Sequence, residues 1–350
     1  MAGNSRVLFA NYFFQLGSLG VLLPFFGLYI QRLGFSGVQI SLLAMSVPAV
    51  QILSPPVYGY LADTRIPRRW IYRTSLLAST CVLPWLYTAT TFWGLLAVIG
   101  LYGMFRTPLI SLLNAAAFEV VERDGADYGA MRLGGSIGFI LGVSAAGAWI
   151  EAFGIDRLPD LVFVAIAGQV VVGWRAPLDL ARGQTPRPAP RAWRTFLQAP
   201  AWRWFLLGVL LSRMAEGGYN IYFSIHLVDL GYSSSLAGQL WALGVISEVV
   251  LLVFSGRLLR YHGAERLLVL AYAVATLRWW LTAHAETVWA FAGLQLSHGI
   301  TFGLFYVAAV AWTHRHSPPG LVTSAQGVTN AMMFGVAGIA GQLVAGPAYD

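Results

Sequence analysis

The sequence predicts an all-α membrane protein built as two helical bundles. Three observations lead there. Only 11% of the 350 residues are charged and 57% are apolar, whereas about 25% charged residues is usual for a soluble domain. The apolar residues fall into eleven runs, each near the length that crosses a bilayer, about twenty residues. A single ungapped offset of 197 relates the first half of the chain to the second. So little charge does not cover a soluble globule of this size. A soluble enzyme, a nucleic-acid binder and a disordered scaffold are therefore excluded.

The expected spans are 7–30, 38–61, 72–90, 92–118, 129–151 and 159–176, then 203–227, 236–259, 266–284, 287–312 and 321–347. The first follows only Arg6 and is far longer than a signal-peptide core, so it stays as a helix. Many of the 16 Pro and 38 Gly lie inside these runs, which membrane helices tolerate when neighbours satisfy the freed backbone groups. Segment 177–199 differs in kind: Pro177, Pro186, Pro188 and Pro190 alternate with Arg182, Arg187, Arg191 and Arg194. Such a composition suits a solvated tether rather than a packed element. The chain thus divides into a six-helix bundle over 1–176, a cytoplasmic linker over 177–199 and a second bundle over 200–350.

The offset of 197 pairs Gly20 with Gly217, Phe26 with Phe223, Gly34 with Gly231, Phe35 with Tyr232, Gly59 with Gly256 and Gly138 with Gly335. Two parallel copies related by an axis along the membrane normal give this pattern. Six spans in the first copy imply six in the second, so the last helix is expected to be absent from this chain.

The net charge of +7 and pI near 9.7 report topology. Every basic residue is Arg. Alternate connections hold Arg65, Arg68, Arg69, Arg73, Arg123, Arg132, Arg257, Arg260, Arg266, Arg315 and the linker arginines. The opposite set holds only Arg32 and Arg157 beside Asp156, Asp160, Asp229 and Glu286. Basic loops stay cytoplasmic, which places the N-terminus there too, in a multi-pass membrane protein. The single Cys81 excludes disulfides and thiolate metal sites.

Ionisable residues at membrane depth are costly and face a bundle interior or a cavity. They are Arg106 in span 4, Arg213 and Glu216 in span 7, Glu248 in span 8, Arg278 in span 9 and His298 in span 10. Glu119, at the cytoplasmic end of span 4, reads as a solvated residue. Glu248 has two readings: a proton site in a low-dielectric cavity, or a permanent ion partner of Arg278 or Arg213. Trp241, Gly244 and Glu248 share one helical face, which supplies an aromatic wall. Arg213 and Glu216, three apart, read as a neutralising pair. Arg278 has no acid on its own helix and needs Glu248 or a substrate carboxylate. Arg106 has no acid one turn away either; backbone carbonyls or a polar residue of span 5 are its structural alternatives. His298 lies in a stripe with Gln295, Thr301 and Phe302, as a proton relay or a hydrogen-bonding core residue. Gln15, Gln51, Gln169, Gln326 and Asn330 read as interhelical glue. Tyr29 sits in an interfacial belt or lines an apolar pocket. Three Arg against two Glu at depth favour an anionic solute, and with aromatic walls an aromatic carboxylate. No H-E-x-x-H, G-x-S-x-G or Cys–His set points to an intramembrane enzyme, and no cofactor is called for.

The loop Gly59-Tyr60-Leu61-Ala62-Asp63-Thr64-Arg65 with Arg68-Arg69, and its copy Gly256-Arg257-Leu258-Leu259-Arg260, resemble the cytoplasmic loop signature of the major facilitator superfamily. Ile66 and Pro67 depart from that signature, as does Arg260 where Asp is usual. Longer stretches run Leu28 to Phe35, Tyr128 to Phe139, Phe223 to Leu227, Leu240 to Glu248, Leu277 to Trp279 and Gln295 to Gly303. Together they resemble the phenylpropionate permease family, relatives of the sugar–proton and nucleoside–proton symporters. The resemblance implies the major facilitator fold and proton-coupled uptake of a small organic solute by a monomer in the lipid bilayer. A sugar or nucleoside symporter, or a drug exporter, stands as the alternative. Under that reading Glu248, His298 and Glu216 serve proton coupling. Arg278, Arg106, Trp241, Gln295 and Tyr29 serve the substrate. Gly59, Asp63, Arg65, Arg68, Arg69, Gly256 and Arg260 form the gating loops. Asn114 stands where such permeases usually place Asp.

Overall fold

A computed structural model describes residues 3–178, 198–317 and 321–350, and among them the regular structure is entirely helical. Linker residues 179–197, with all four linker arginines, lie outside the described residues. Helix α1 (Gly3–Arg32) carries the first predicted span. The second is shared by α2 (Gly37–Ala44) and α3 (Ser46–Thr64), which meet at Met45. Helix α4 (Arg68–Val82) starts four residues ahead of its predicted span and passes at Leu83–Tyr87 into a 3₁₀ turn that contains Pro84. Then come α5 (Phe92–Asp124), longer than its predicted span, α6 (Tyr128–Phe153) and α7 (Leu158–Gly173).

In the second half α8 (Pro200–Asp229) is followed by α9 (Ser234–Ala283), which runs through two predicted spans. Gly263, at φ 74° and ψ 160°, breaks α9 between them. Helices α10 (Val288–Leu296) and α11 (Phe305–His316) are joined across the π-helical turn Gly299–Leu304. A second π-helical turn, Ala331–Val336, joins α12 (Val322–Asn330) to α13 (Ala337–Tyr349). Among the described residues, seven helical segments are long and apolar enough to cross a membrane. Other predicted spans fall on the short α4 and α7, of 15 and 16 residues, on the charge-bearing α8, or together within α9.

The chain forms two compact units. One comprises Met1–Gln184, Asn220–Gln239 and Ala345–Asp350; the other comprises Thr185–Tyr219 and Leu240–Val344. In the first, α1 and α6 touch backbone to backbone. A Cβ on Gly134, Gly138 or Gly142 would lie 2.4, 2.0 or 2.4 Å from the carbonyl oxygens of Phe9, Phe13 and Gly17. Glycine every fourth residue on α6 thus faces every fourth residue on α1. Lipid tails are as apolar as leucine, so close van der Waals packing of this kind holds membrane helices together. Tyr12, Tyr72, Leu76, Leu109, Leu113 and Met131 build a buried core around the contact.

The second unit repeats the arrangement. A Cβ on Gly341 of α13 would lie 2.2 Å from the carbonyl of Met214 on α8, and Met214 is Gly17 plus the offset. Trp202, Phe205, Leu268, Phe305 and Trp312 form its core. The loops repeat as well. Gly34 and Gly231 end α1 and α8 at φ 87° and 85°, a left-handed region that favours glycine. Two residues later Ser36 accepts the Gln39 N–H, and Ser233 accepts the Leu236 N–H, each capping the next helix.

The first unit also gathers the tips of α1, α2, α8 and α13. Asp350 accepts the backbone N–H of Gly37 at 2.5 Å and of Val38 at 3.0 Å, at the positive end of α2. Tyr222 donates to the Gly37 carbonyl at 2.7 Å and lies 2.8 Å from Ser41 Oγ. Tyr349 donates to Asp229 at 3.0 Å and accepts from Gln31 at 2.9 Å. A Cβ on Gly27 would meet the Ile221 carbonyl at 2.3 Å, so these tips are dry and tight.

Candidate functional site

Helix α8 presents Arg213 and Glu216 one turn apart, and the expected pair forms with Nη1 and Oε2 3.9 Å apart, both side chains buried. Glu216 Oε1 lies 3.8 Å from His298 Nδ1. The Arg213 guanidinium rests over the rings of Phe302 and Phe305, at 4.6 and 5.6 Å, where the aromatic quadrupole offsets part of its lost hydration.

Arg278, only 2% exposed, is placed against α10 by the second half of α9. Its Nη2 donates to Gln295 Oε1 at 2.8 Å, and its Nη1 donates to Thr301 Oγ1 at 2.9 Å and lies 3.1 Å from His298 Nδ1. A guanidinium only donates, so Nδ1 is the acceptor and the neutral His298 ring carries its proton on Nε2. The guanidinium also stacks on Tyr219 and Trp279, at 4.9 and 4.5 Å. Neutral groups hydrogen-bond this cation, and Glu216 adds an electrostatic attraction. Trp241 lies 4.6 Å from the Tyr219 ring, so the predicted aromatic wall borders the cluster.

Glu248 interacts attractively with Arg213 and lies against the π-helical turn, where a Cβ on Gly303 would be 3.0 Å from its Cγ. Its neighbour Ser247 accepts the Gly299 N–H at 3.0 Å. That bond satisfies a backbone donor at the start of the turn. Gly244, on the face shared with Trp241 and Glu248, packs against Gln295 and His298, both of which a Cβ there would touch at an ordinary 3.5 Å. The α10 stripe of Gln295, His298, Thr301 and Phe302 is therefore one surface, as the spacing implies.

Arg106 heads a second cluster in the first unit and is 7% exposed. It donates to Gln169 Oε1 at 2.7 Å, Ser18 Oγ at 2.6 Å and the Gln15 carbonyl at 3.4 Å. Of the two structural alternatives, a backbone carbonyl, that of Gln15, is among its partners; the polar side chains come from α1 and α7, and from Tyr102 of α5 itself, rather than from span 5. Gln169 continues the chain to Gln15 and to Tyr72, and Tyr72 donates to Asn11 at 2.9 Å. Asn114, a neutral amide, accepts from Tyr12 at 2.7 Å and from Tyr128 at 3.4 Å.

The loop residues lie apart from both clusters. Arg68 pairs with Glu119, both largely buried, so Glu119 is an ion partner rather than the solvated residue expected. Arg65 caps the end of α3 and is exposed, as are Arg69, Gly256 and Arg260. Gly59 and Asp63 lie on α3, and the Asp63 side chain lies outside the described residues. Tyr29 is buried and donates to the Leu86 carbonyl at 3.0 Å. Sequence reasoning passed over Tyr219, Ser247, Tyr72 and Asn11. A polar side chain at mid-span is their only sequence signal, and hydroxyls are too common in membrane helices for it to single them out.

The model of the MFS_1 like family matches residues 6–350. The probable 3-phenylpropionic acid transporter of Escherichia coli (strain K12) is 27% identical over 88% of this chain and 82% of its own length. The maltose permease of Geobacillus stearothermophilus is 26% identical over 93% and 82%. The crystal structure of the nucleoside transporter NupG superposes with a TM-score of 0.86 at 20% identity, over 99% of this chain and 90% of that one, which shows a shared fold.

Proposed function

This chain belongs to the MFS_1 like family of membrane transporters, and from that membership we propose that it carries an aromatic carboxylate inward together with a proton, by alternating access. The observation that supports the reading is Arg278: a buried cation whose hydrogen bonds all go to neutral groups, beside the rings of Tyr219, Trp279 and Trp241. Leaving a charge in such a site is costly, and an incoming carboxylate neutralises it with the fork geometry that arginine favours. A phenylpropanoid acid supplies both the anion and the ring, in line with the 3-phenylpropionic acid named for the Escherichia coli relative.

Proton coupling belongs in this reading to Glu248, His298 and Glu216. His298 touches both Arg278 and Glu216, so protonating Nδ1 removes the acceptor from Arg278 and strengthens its contact with Glu216. Arg106, Gln295, Trp241 and Tyr29 complete the substrate residues, and the Gly59–Arg69 segment, at the junction of α3 and α4, and the Gly256–Arg260 segment, helical within α9 rather than a loop, form the cytoplasmic gates. The protein acts as a monomer in the bacterial inner membrane with its N-terminus in the cytoplasm, and two bundles meet through the 177–199 linker.

Uptake of 3-phenylpropionate into proteoliposomes tests the reading. Arg278→Gln keeps a hydrogen-bonding side chain but removes the charge. Truncating one partner of a buried charge pair costs about 2–5 kcal/mol, so KM is expected to rise at least about 30-fold. An unchanged KM removes the carboxylate from this site.

A further inference from the structure

Tyr219, which the sequence did not single out, links Gln295, Arg278, Trp241 and Trp279. Its hydroxyl lies 2.7 Å from Gln295 Nε2 and 3.1 Å from Gln295 Oε1. Its ring lies under Arg278 and within 4.6 Å of Trp241 and 5.3 Å of Trp279. A guanidinium has donors alone, so the amide atom 2.8 Å from Arg278 Nη2 is the oxygen. Arg278 therefore dictates how Gln295 is turned. Tyr219 does not, because a hydroxyl both donates and accepts and stays bonded to whichever amide atom faces it.

A carboxylate on Arg278 reverses the demand. It offers only acceptors and takes over the guanidinium N–H groups that Gln295 Oε1 now uses. The Gln295 oxygen then loses its guanidinium donor, keeps only the Tyr219 hydroxyl, and would set its partial negative charge against the anion, whereas its NH₂ group would complete the anion's coordination. We propose that Tyr219 is the positioning residue of the anion site, its hydroxyl a pivot about which the Gln295 amide turns its oxygen to Arg278 when the site is empty and its NH₂ to a bound carboxylate. The amide keeps a partner in both orientations, so no buried polar group is stranded during the exchange, an outcome that is otherwise expensive. The inference rests on the reading that Arg278 receives a carboxylate.

The experiment compares 3-phenylpropionate with uncharged 3-phenylpropionamide in proteoliposome uptake and binding. Tyr219→Phe is expected to raise KM for the acid about fivefold, the worth of one net hydrogen bond, with Vmax held and the amide's affinity unchanged. A purely structural role moves both ligands together, and that result overturns the proposal. Gln295→Leu removes the amide, and in that background Tyr219→Phe is expected to add nothing; a full additional fivefold loss also overturns it. Gln295→Glu, which pairs with Arg278 and offers no donor, is expected to abolish acid transport while amide binding persists. Retained acid transport in that variant overturns the proposal without relying on Tyr219→Phe folding. Arg278→Gln separates the two levels: unchanged acid affinity there sinks the carboxylate reading itself, whereas its loss beside an inert Tyr219→Phe sinks only the pivot.

Discussion

Adding one methyl group to Gly138 tests the packing that builds each half of the molecule. The new Cβ would stand 2.0 Å from the Phe13 carbonyl oxygen, and comfortable contact lies near 3.4 Å, so α1 and α6 must part by about 1.4 Å locally. A backbone atom blocks the way, and no rotamer change relieves the clash. Forcing extra methylenes into a packed interior costs about 1–3 kcal/mol, while replacing helical glycine with alanine returns about 1 kcal/mol of propensity. The net loss is therefore about 0–2 kcal/mol, larger if the displacement propagates to Gly134 and Gly142. Gly341→Ala, at 2.2 Å from the Met214 carbonyl, should cost the same in the second unit. Gly100→Ala, on α5 with nothing within 4 Å of its Cβ, should be neutral or mildly stabilising. Thermal unfolding of the purified protein in detergent gives the comparison. If Gly138→Ala matched Gly100→Ala in stability, the backbone contact between α1 and α6 would be refuted.

Two further outcomes follow from the same geometry. Asp350→Asn removes the charge at the positive end of α2 but keeps an oxygen there; such charges are worth about 1 kcal/mol, so its unfolding temperature in detergent should fall measurably, and an unchanged one contradicts the capping role. Arg106→Gln leaves acceptors on Ser18, Gln15 and Gln169 without their donor; at about 1–3 kcal/mol for stranded buried groups, its unfolding temperature should fall measurably, and an unshifted one contradicts the network.

The sequence made legible what local rules govern. Residues 34–36 and 231–233 share a loop because a left-handed glycine and a capping serine are needed at fixed places between two helices, and one offset found them both. Helical spacing put Arg213 beside Glu216 and set Gln295, His298 and Thr301 on one face. It did not say which face of another helix they would meet. Charge alone left Arg278 with Glu248 or a substrate carboxylate, and no local rule named Gln295 and Thr301, to which the second half of α9 delivers it past the break at Gly263. The π-helical turn after His298 is stabilised in part by Ser247 from another helix, a tertiary cause without a local signal. Arg106 shows the same limit, with partners at positions 15, 18 and 169.

The central claim is that an aromatic acid and a proton move together. Adding 3-phenylpropionate to weakly buffered, de-energised proteoliposomes that hold the full-length protein, and following external pH, tests it most directly. The account expects the medium to turn alkaline as the substrate enters, and expects this signal to vanish in Glu248→Gln. Substrate entry without any pH change, or an undiminished signal in Glu248→Gln, would contradict it.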